Sequence, residues 1–153
     1  MATSRVHRCL EPGLSIVVGA VDANGIPSCC RAYAIRSDDD LETLTIYLPV
    51  ATSHDAIECL ATTKRLAVGA THPMESSATQ IKGTTIETRL AREEDEGAFV
   101  QRRLEAFADL LVGSGVPRRL TRSVAHWPAF AVTIRVAEIY EQTPGPKAGT
   151  RLR

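Results

Sequence analysis

"VVGAVDANGIPSCCRAYAI" (residues 17–35) decides how the rest of the chain is read. A short β-branched run that begins at Leu14 meets Asn24-Gly25, and a second run follows at once. Asn-Gly is the strongest two-residue hairpin signal, because both central positions of a type I′ turn need positive φ. That turn predicts a register with Ala23 opposite Ile26, Ala20 opposite Cys29, Val18 opposite Arg31 and Ile16 opposite Tyr33. Residues opposite one another share a face. One face then carries Leu14, Ile16, Val18, Ala20, Cys29, Arg31, Tyr33 and Ile35. The other carries Ser15, Val17, Gly19, Val21, Ser28, Cys30, Ala32 and Ala34. The second set is uniformly small, as expected inside a small closed barrel. The first holds one arginine among apolar neighbours, and a cation so placed calls for an anionic partner. Cys29 and Cys30 diverge to opposite faces, so a bond between them would need turn-like backbone in the middle of the pairing.

Working outward, "SDDDLE" (37–42) reads as a polar turn, and "TLTIYLP" (Thr43–Pro49) as a strand ended by proline. "TSHDAIECLATT" reads as a helix with Ser53 as N-cap and an apolar stripe of Ala56, Ile57 and Leu60. "RLAVGATH" (Arg65–His72) and the long alternating Ser77–Ala91 are strands, with Gly83 marking a bulge or bend. Glu93–Val112 is the clearest helix. Its four acidic residues from Glu93 to Glu96 suit the positive N-terminal dipole, and Val100, Leu104, Phe107 and Leu111 keep one apolar face. A short helical piece spans Arg118–His126, and Phe130–Gln142 is the last strand. The proline- and glycine-rich tail, 143–153, is expected to lie along a surface. Six strands joined mainly by hairpins, without a βαβ rhythm, predict an α+β, mainly β fold: a six-stranded antiparallel split β-barrel of Greek-key type with flanking helices. One domain covers 1–153, its core about 12–142.

Composition narrows the function classes. Lysine plus arginine and aspartate plus glutamate are 18 each, so there is no basic field for nucleic acid or an acidic membrane surface. No apolar run is long enough to cross a bilayer, and "MATSRVHRCLEPG" lacks the apolar stretch of a secretory leader, so a cytoplasmic protein is expected. The four cysteines and four histidines show no CxxC or paired ligand spacing, and no metal site is expected.

The opening hairpin, the passage "TIYLPVATSHDAIECL", and "RLAVGATH" followed by "SSATQIKG" resemble the pyridoxamine 5′-phosphate oxidase-like family, the FMN-binding split barrels. The final strand running into "YEQTPGPKAG" is similar to a subgroup of it, and the resemblance covers about Leu14 to Gly149. It implies a homodimer with two FMN sites at the interface. It implies a basic residue near the flavin, here Arg31. It places the cofactor phosphate at the end of the third strand and the following helix start, here Thr52, Ser53 and His54, and a strand pair beside the flavin, here Gln80 and Lys82. Gln80 and Lys82 are two apart and so share a strand face. A helix N-terminus with free amides is a reasonable phosphate cradle. Tyr33, Tyr47 or Trp127 would supply apolar contact for the ring.

Asp55 follows His54 where the oxidases of the family carry basic residues. No basic pair for a phosphorylated pyridoxine stands out near the C-terminus, where nothing selects Arg135 or Arg151. The resemblance therefore implies an FMN-dependent oxidoreductase on an unidentified small molecule rather than a pyridoxamine-phosphate oxidase, with no acid–base residue named. Two other readings share the fold: a reductase using the deazaflavin F420, and a non-catalytic barrel binding flavin or haem, for which His54 and His72 are the axial candidates. Each residue also has a plain structural role to weigh. Arg31 can pair with a carboxylate, Ser53 can be an N-cap only, Gln80 and Lys82 can be solvated, and Trp127 can be a packing anchor or dimer contact.

Overall fold

The β-branched run becomes strand β1 (Ser15–Val21) in a computed structural model that describes residues 7–38 and 41–153. Residues 1–6, part of the stretch read for a leader, and Asp39 and Asp40 of the polar turn lie outside the described residues. Six strands follow: β2 (Pro27–Ala32), β3 (Ala34–Ser37), β4 (Thr43–Pro49), β5 (Arg65–Thr71), β6 (Ala78–Leu90) and β7 (Ala129–Glu141). The helices are α1 (His54–Thr63), α2 (Ala98–Gly113) and α3 (Arg118–Arg122).

The sheet has seven strands rather than the expected six, all pairs antiparallel, in the order β2-β1-β5-β6-β7-β4-β3. The extra strand arises because the single strand expected after the hairpin bends at Tyr33. Its first half pairs with β1 and its second with β4. The two edges of the sheet are therefore consecutive in the chain, one residue apart, and the sheet curls strongly. No ladder joins β2 to β3, so the barrel is open. The Tyr33 N–H donates to the Tyr47 carbonyl at 3.4 Å, carrying the β3–β4 pairing back to the bend.

The hairpin register differs from the expected one by one residue. Ile16 faces Ala32, Val18 faces Cys30 and Ala20 faces Ser28. Asp22 causes the shift. Its carboxylate accepts the N–H groups of Asn24 and Ile26, each at 2.8 Å, and its own N–H donates to the Ile26 carbonyl at 3.0 Å. The loop is Ala23-Asn24-Gly25, and in it only Gly25 has positive φ, at 82°. A one-residue slip sends every side chain of one strand to the other face. Leu14, Ile16, Val18 and Ala20 are consequently buried with Cys30 and Ala32, while Val17, Gly19, Val21, Cys29 and Arg31 lie on the outer face. The small set does not fill the barrel. Burying the larger apolar set removes more apolar surface from water, which favours this register.

Inside the curl, Ile16, Val18, Ile46, Leu48, Val68, Ile81 and Ile134 pack with Ala56, Cys59 and Leu60 of α1. A second cluster lies outside β3, β4 and β7, where Ala34, Tyr47, Ala129 and Ala131 meet Val100 of α2, with Phe99 and Trp127 against them. On α2 the buried positions are Val100, Leu104 and Ala108; Phe107 and Leu111 are half-buried. The expected bulge is present, since the β6–β7 register shifts between Lys82 and Gly83. A side chain at Gly83 would meet the Arg135 carbonyl oxygen at 2.5 Å.

The tail pairs back onto β7 beyond the end of β4. Arg151 bridges Tyr140, and the Leu152 N–H donates to the Ile139 carbonyl at 2.7 Å while its side chain packs on the core.

Candidate functional site

Because strand neighbours share a face, the register defines two rows of side chains on the outer face of β2, β1, β5, β6 and β7. One row is Arg31, Val17, Gly69, Gln80 and Tyr140; the next is Cys29, Gly19, Ala67, Lys82 and Glu138. Arg31 and Gln80 are three strand spacings apart in their row, about 14 Å along the sheet. Between them the surface is low. A Cβ at Gly19 would meet nothing within 4 Å, and one at Gly69 only the Val17 carbonyl oxygen at 3.9 Å. A flat molecule can therefore approach the backbone here.

The rim of this floor is cationic. Arg31 is exposed and its Nη1 donates to the Ser15 hydroxyl at 3.1 Å. Lys82 holds its Nζ 4.9 Å from the centre of the Tyr140 ring, whose hydroxyl donates to Glu138 at 3.0 Å. That hydrogen bond holds the Tyr140 phenol above its ordinary value. A groove of about 410 Å³ beside this row adds Arg65 to Lys82 on its wall. An open floor flanked by Arg31, Arg65 and Lys82, with the Gln80 amide beside it, fits a planar anionic cofactor.

The other expected site residues lie elsewhere. Tyr33 is half-buried against the second cluster, and burial raises its phenol while Arg31 opposes the shift. Tyr47 is 1% exposed and donates its hydroxyl to Glu96 at 2.8 Å. Burial, then the bond to Glu96, pushes its phenol up to about 12. Its ring also meets Phe99 edge-on with centroids 5.8 Å apart. Trp127 packs against the same cluster and its indole N–H donates to Glu93.

Ser53 stands at the N-cap of α1 but does not cap with its side chain. It is 1% exposed and its hydroxyl donates to the Pro49 carbonyl at 2.7 Å. Thr52 and His54 are exposed, and His54 Nδ1 lies 3.7 Å from carboxylate oxygens of both Asp55 and Glu58. The helix start is level with the far end of β6, because Pro49 pairs with Ala129 and the Ala91 N–H reaches the Ala129 carbonyl. From there to Gln80 is about 30 Å of extended strand. Arg31, Gln80 and Lys82 thus share one face, whereas Thr52, Ser53 and His54 stand at the start of α1, whose first turns border β2 where Asp55 and Glu58 share a groove with Pro27 and Ser28.

Sequence reasoning missed Arg65, Tyr140 and the Glu96 network. Arg65 opens β5 next to Ala67 in outward alternation, and that signal was available. Glu96 carried none, because four consecutive acidic residues gave no means of choosing the inward one. Its carboxylate accepts Tyr47, both ends of the Arg89 guanidinium and the Arg92 N–H. Among the described residues no cluster of three histidine, cysteine or acidic groups could hold a metal, and no helix is long and apolar enough to cross a membrane.

No protein-family model matches the chain, and no curated protein matches its sequence. Solved structures do resemble it. HupZ of Group A Streptococcus superposes with a TM-score of 0.56 at 17% identity, over 97% of this chain and 100% of that one. An F420 reductase gives 0.55 at 13% identity, over 87% and 94%. A putative pyridoxamine 5′-phosphate oxidase of Lactobacillus delbrueckii gives 0.52 at 14% identity, over 87% and 88%. The chain has a pyridoxamine 5′-phosphate oxidase-like fold. At these identities the likeness speaks for the fold alone.

Proposed function

We propose that the protein binds FMN on the outer face of β1, β5 and β6 and serves as a flavin-dependent oxidoreductase for a small organic substrate other than a phosphorylated pyridoxamine. The supporting observation is the row from Arg31 through Gly69 to Gln80, with Gly19 and Lys82 beside it, which combines a bare floor with amide and cationic groups at its rim. Bound FMN would supply the electron and hydride chemistry. Gly19 and Gly69 admit the ring to the backbone, Gln80 hydrogen-bonds its polar edge, and Lys82 and Arg31 favour negative charge on the ring or phosphate. Tyr33 and Tyr47, packed in the outer cluster with Val100, support the fold rather than the ring.

The separation between Gln80 and the start of α1 favours a homodimer in which Thr52, Ser53 and His54 complete the site across the two-fold interface. There the exposed backbone of the helix start, rather than the committed Ser53 hydroxyl, would face the phosphate. A visible spectrum of the purified protein titrated with FMN tests this reading. Perturbed flavin bands with saturable binding are expected, and their absence would sink it. Parallel titrations with F420 and haem separate the two related readings. Native mass spectrometry reads the dimer and the released cofactor together.

A further inference from the structure

We propose that a cavity at one end of the curled sheet, walled by the turn at 143–147, is a separate site for an organic monoanion with a compact apolar body. The cavity measures about 400 Å³, within the range that holds small ligands. Its floor is made by inward residues at the ends of three strands: Leu14 before β1, Ala70 on β5 and Thr79 on β6, all buried. Pro144 and Pro146 supply an apolar wall opposite.

The wall is preformed. The Gln142 N–H donates to the Ala78 carbonyl at 2.8 Å, and the Ala78 N–H donates to the Thr143 hydroxyl at 3.0 Å. Glu141 accepts the Thr143 N–H at 3.1 Å, and the Gly149 N–H closes onto the Glu141 carbonyl at 2.7 Å. A ligand entering here orders little additional chain, which favours affinity.

Charge selects the ligand. Arg8 and Lys147 both line the cavity, and neither makes a side-chain hydrogen bond or ion pair among the described residues. His72 Nδ1 accepts the Glu75 N–H at 3.2 Å, so a neutral ring carries its proton on Nε2 as a further donor. Glu11 and Glu141 also line the cavity; the Glu141 carboxylate accepts the Thr143 N–H and hydroxyl, and the two acids oppose a second negative charge. Arg8, Lys147 and one donor around an apolar floor suit a single carboxylate or sulfonate on a hydrophobic body.

This site is independent of the flavin face. Ala70 and Thr79 point inward where their neighbours Gly69 and Gln80 point outward, so the two lie back to back across one sheet.

The test is a fluorescence titration of the full chain with 8-anilinonaphthalene-1-sulfonate. Saturable binding at one dye per chain is expected, displaced by 4-phenylbutyrate but not by 4-phenylbutanol at the same concentration. The double variant Arg8→Ala, Lys147→Ala should weaken dye binding at least tenfold. Thr79→Phe, whose side chain points into the cavity, should abolish it, with thermal unfolding confirming that both variants fold. Should Thr79→Phe not fold, the double variant decides alone. Non-saturable binding, equal displacement by the alcohol, or wild-type affinity in the double variant would overturn the proposal. None of these readings depends on flavin.

Discussion

Arg89 meets Glu96 in a two-pronged ion pair, Nη1 and Nη2 each 2.8 Å from a different carboxylate oxygen, with Glu96 only 4% exposed. The pair anchors the π-wound turn Glu93–Gly97 to β6, and the Tyr47 hydroxyl ties it to β4. It thereby fixes the entry of α2 over the outer cluster. The Arg89 hydrogen bonds above all, helped by the Arg92 N–H and Tyr47, hold the Glu96 carboxyl down at about 2 against the burial that would raise it.

Glu96→Gln should cost about 3 kcal/mol of unfolding free energy at neutral pH, because it leaves Arg89 partly unpaired beside a desolvated site. The folded value lies below the ordinary 4.5. The stabilisation is therefore full above about pH 4.5 and lost as pH falls toward 2. Denaturant titrations across that window should show a steep acid dependence in the wild type and a shallower one in the variant. Equal slopes would contradict this assignment.

The hairpin turn yields a contrast. Asp22→Ala removes the acceptor for two loop N–H groups and should cost about 1 kcal/mol. Asn24→Ala should cost no more than a few tenths, since Asn24 does not adopt positive φ here. A two-residue Asn-Gly turn would give the opposite order, with Asn24→Ala costing about 1 kcal/mol or more for a left-handed alanine. Chemical denaturation of both variants decides the register.

Two kinds of glycine should separate stability from binding. Gly83→Ala drives a methyl into the Arg135 carbonyl and should lose about 2 kcal/mol. Gly69→Val has open space above it and should change stability by no more than about 0.5 kcal/mol. It should nevertheless lower FMN affinity about tenfold by raising the floor under the ring. Unchanged FMN affinity in Gly69→Val would remove the flavin from this face.

Cysteine reactivity reads the two faces directly. Cys29 is exposed, Cys59 is buried, and burial, with Cys29 adding to it, pushes the buried Cys30 thiol up to about 11. Iodoacetamide at pH 8 should label Cys29 well before Cys30 or Cys59, which react only on unfolding. Peptide mass spectrometry checks the order, and early labelling of Cys30 would refute the register. Replacing Cys29 and Cys30 by alanine should leave FMN binding intact.

Much of this fold was legible locally. Thr43–Pro49 and the bulge at Gly83 fall where the sequence places them, and apart from the strand that splits at Tyr33 the other elements agree to within a few residues, because alternation, proline and glycine act over a few neighbours. The faces of the hairpin were not legible from Asn-Gly alone. The Asp22 carboxylate competes for the same amides, and only the packing of Ile16 and Val18 against α1 shows which register wins. Arg31, Gln80 and Lys82 were named from the sequence, yet their common face depends on that register.

The sequence by itself determined the elements, their antiparallel character and the candidate cations, since these follow from short-range backbone preference and residue chemistry. Tertiary structure alone decided that the large side of β1 is buried and that Tyr33 parts one strand into two sheet edges. It also decided that Glu96, alone among four acids, turns inward to Arg89. Those outcomes rest on contacts between residues distant in the chain, where burying apolar surface and satisfying a desolvated charge outweigh local preference.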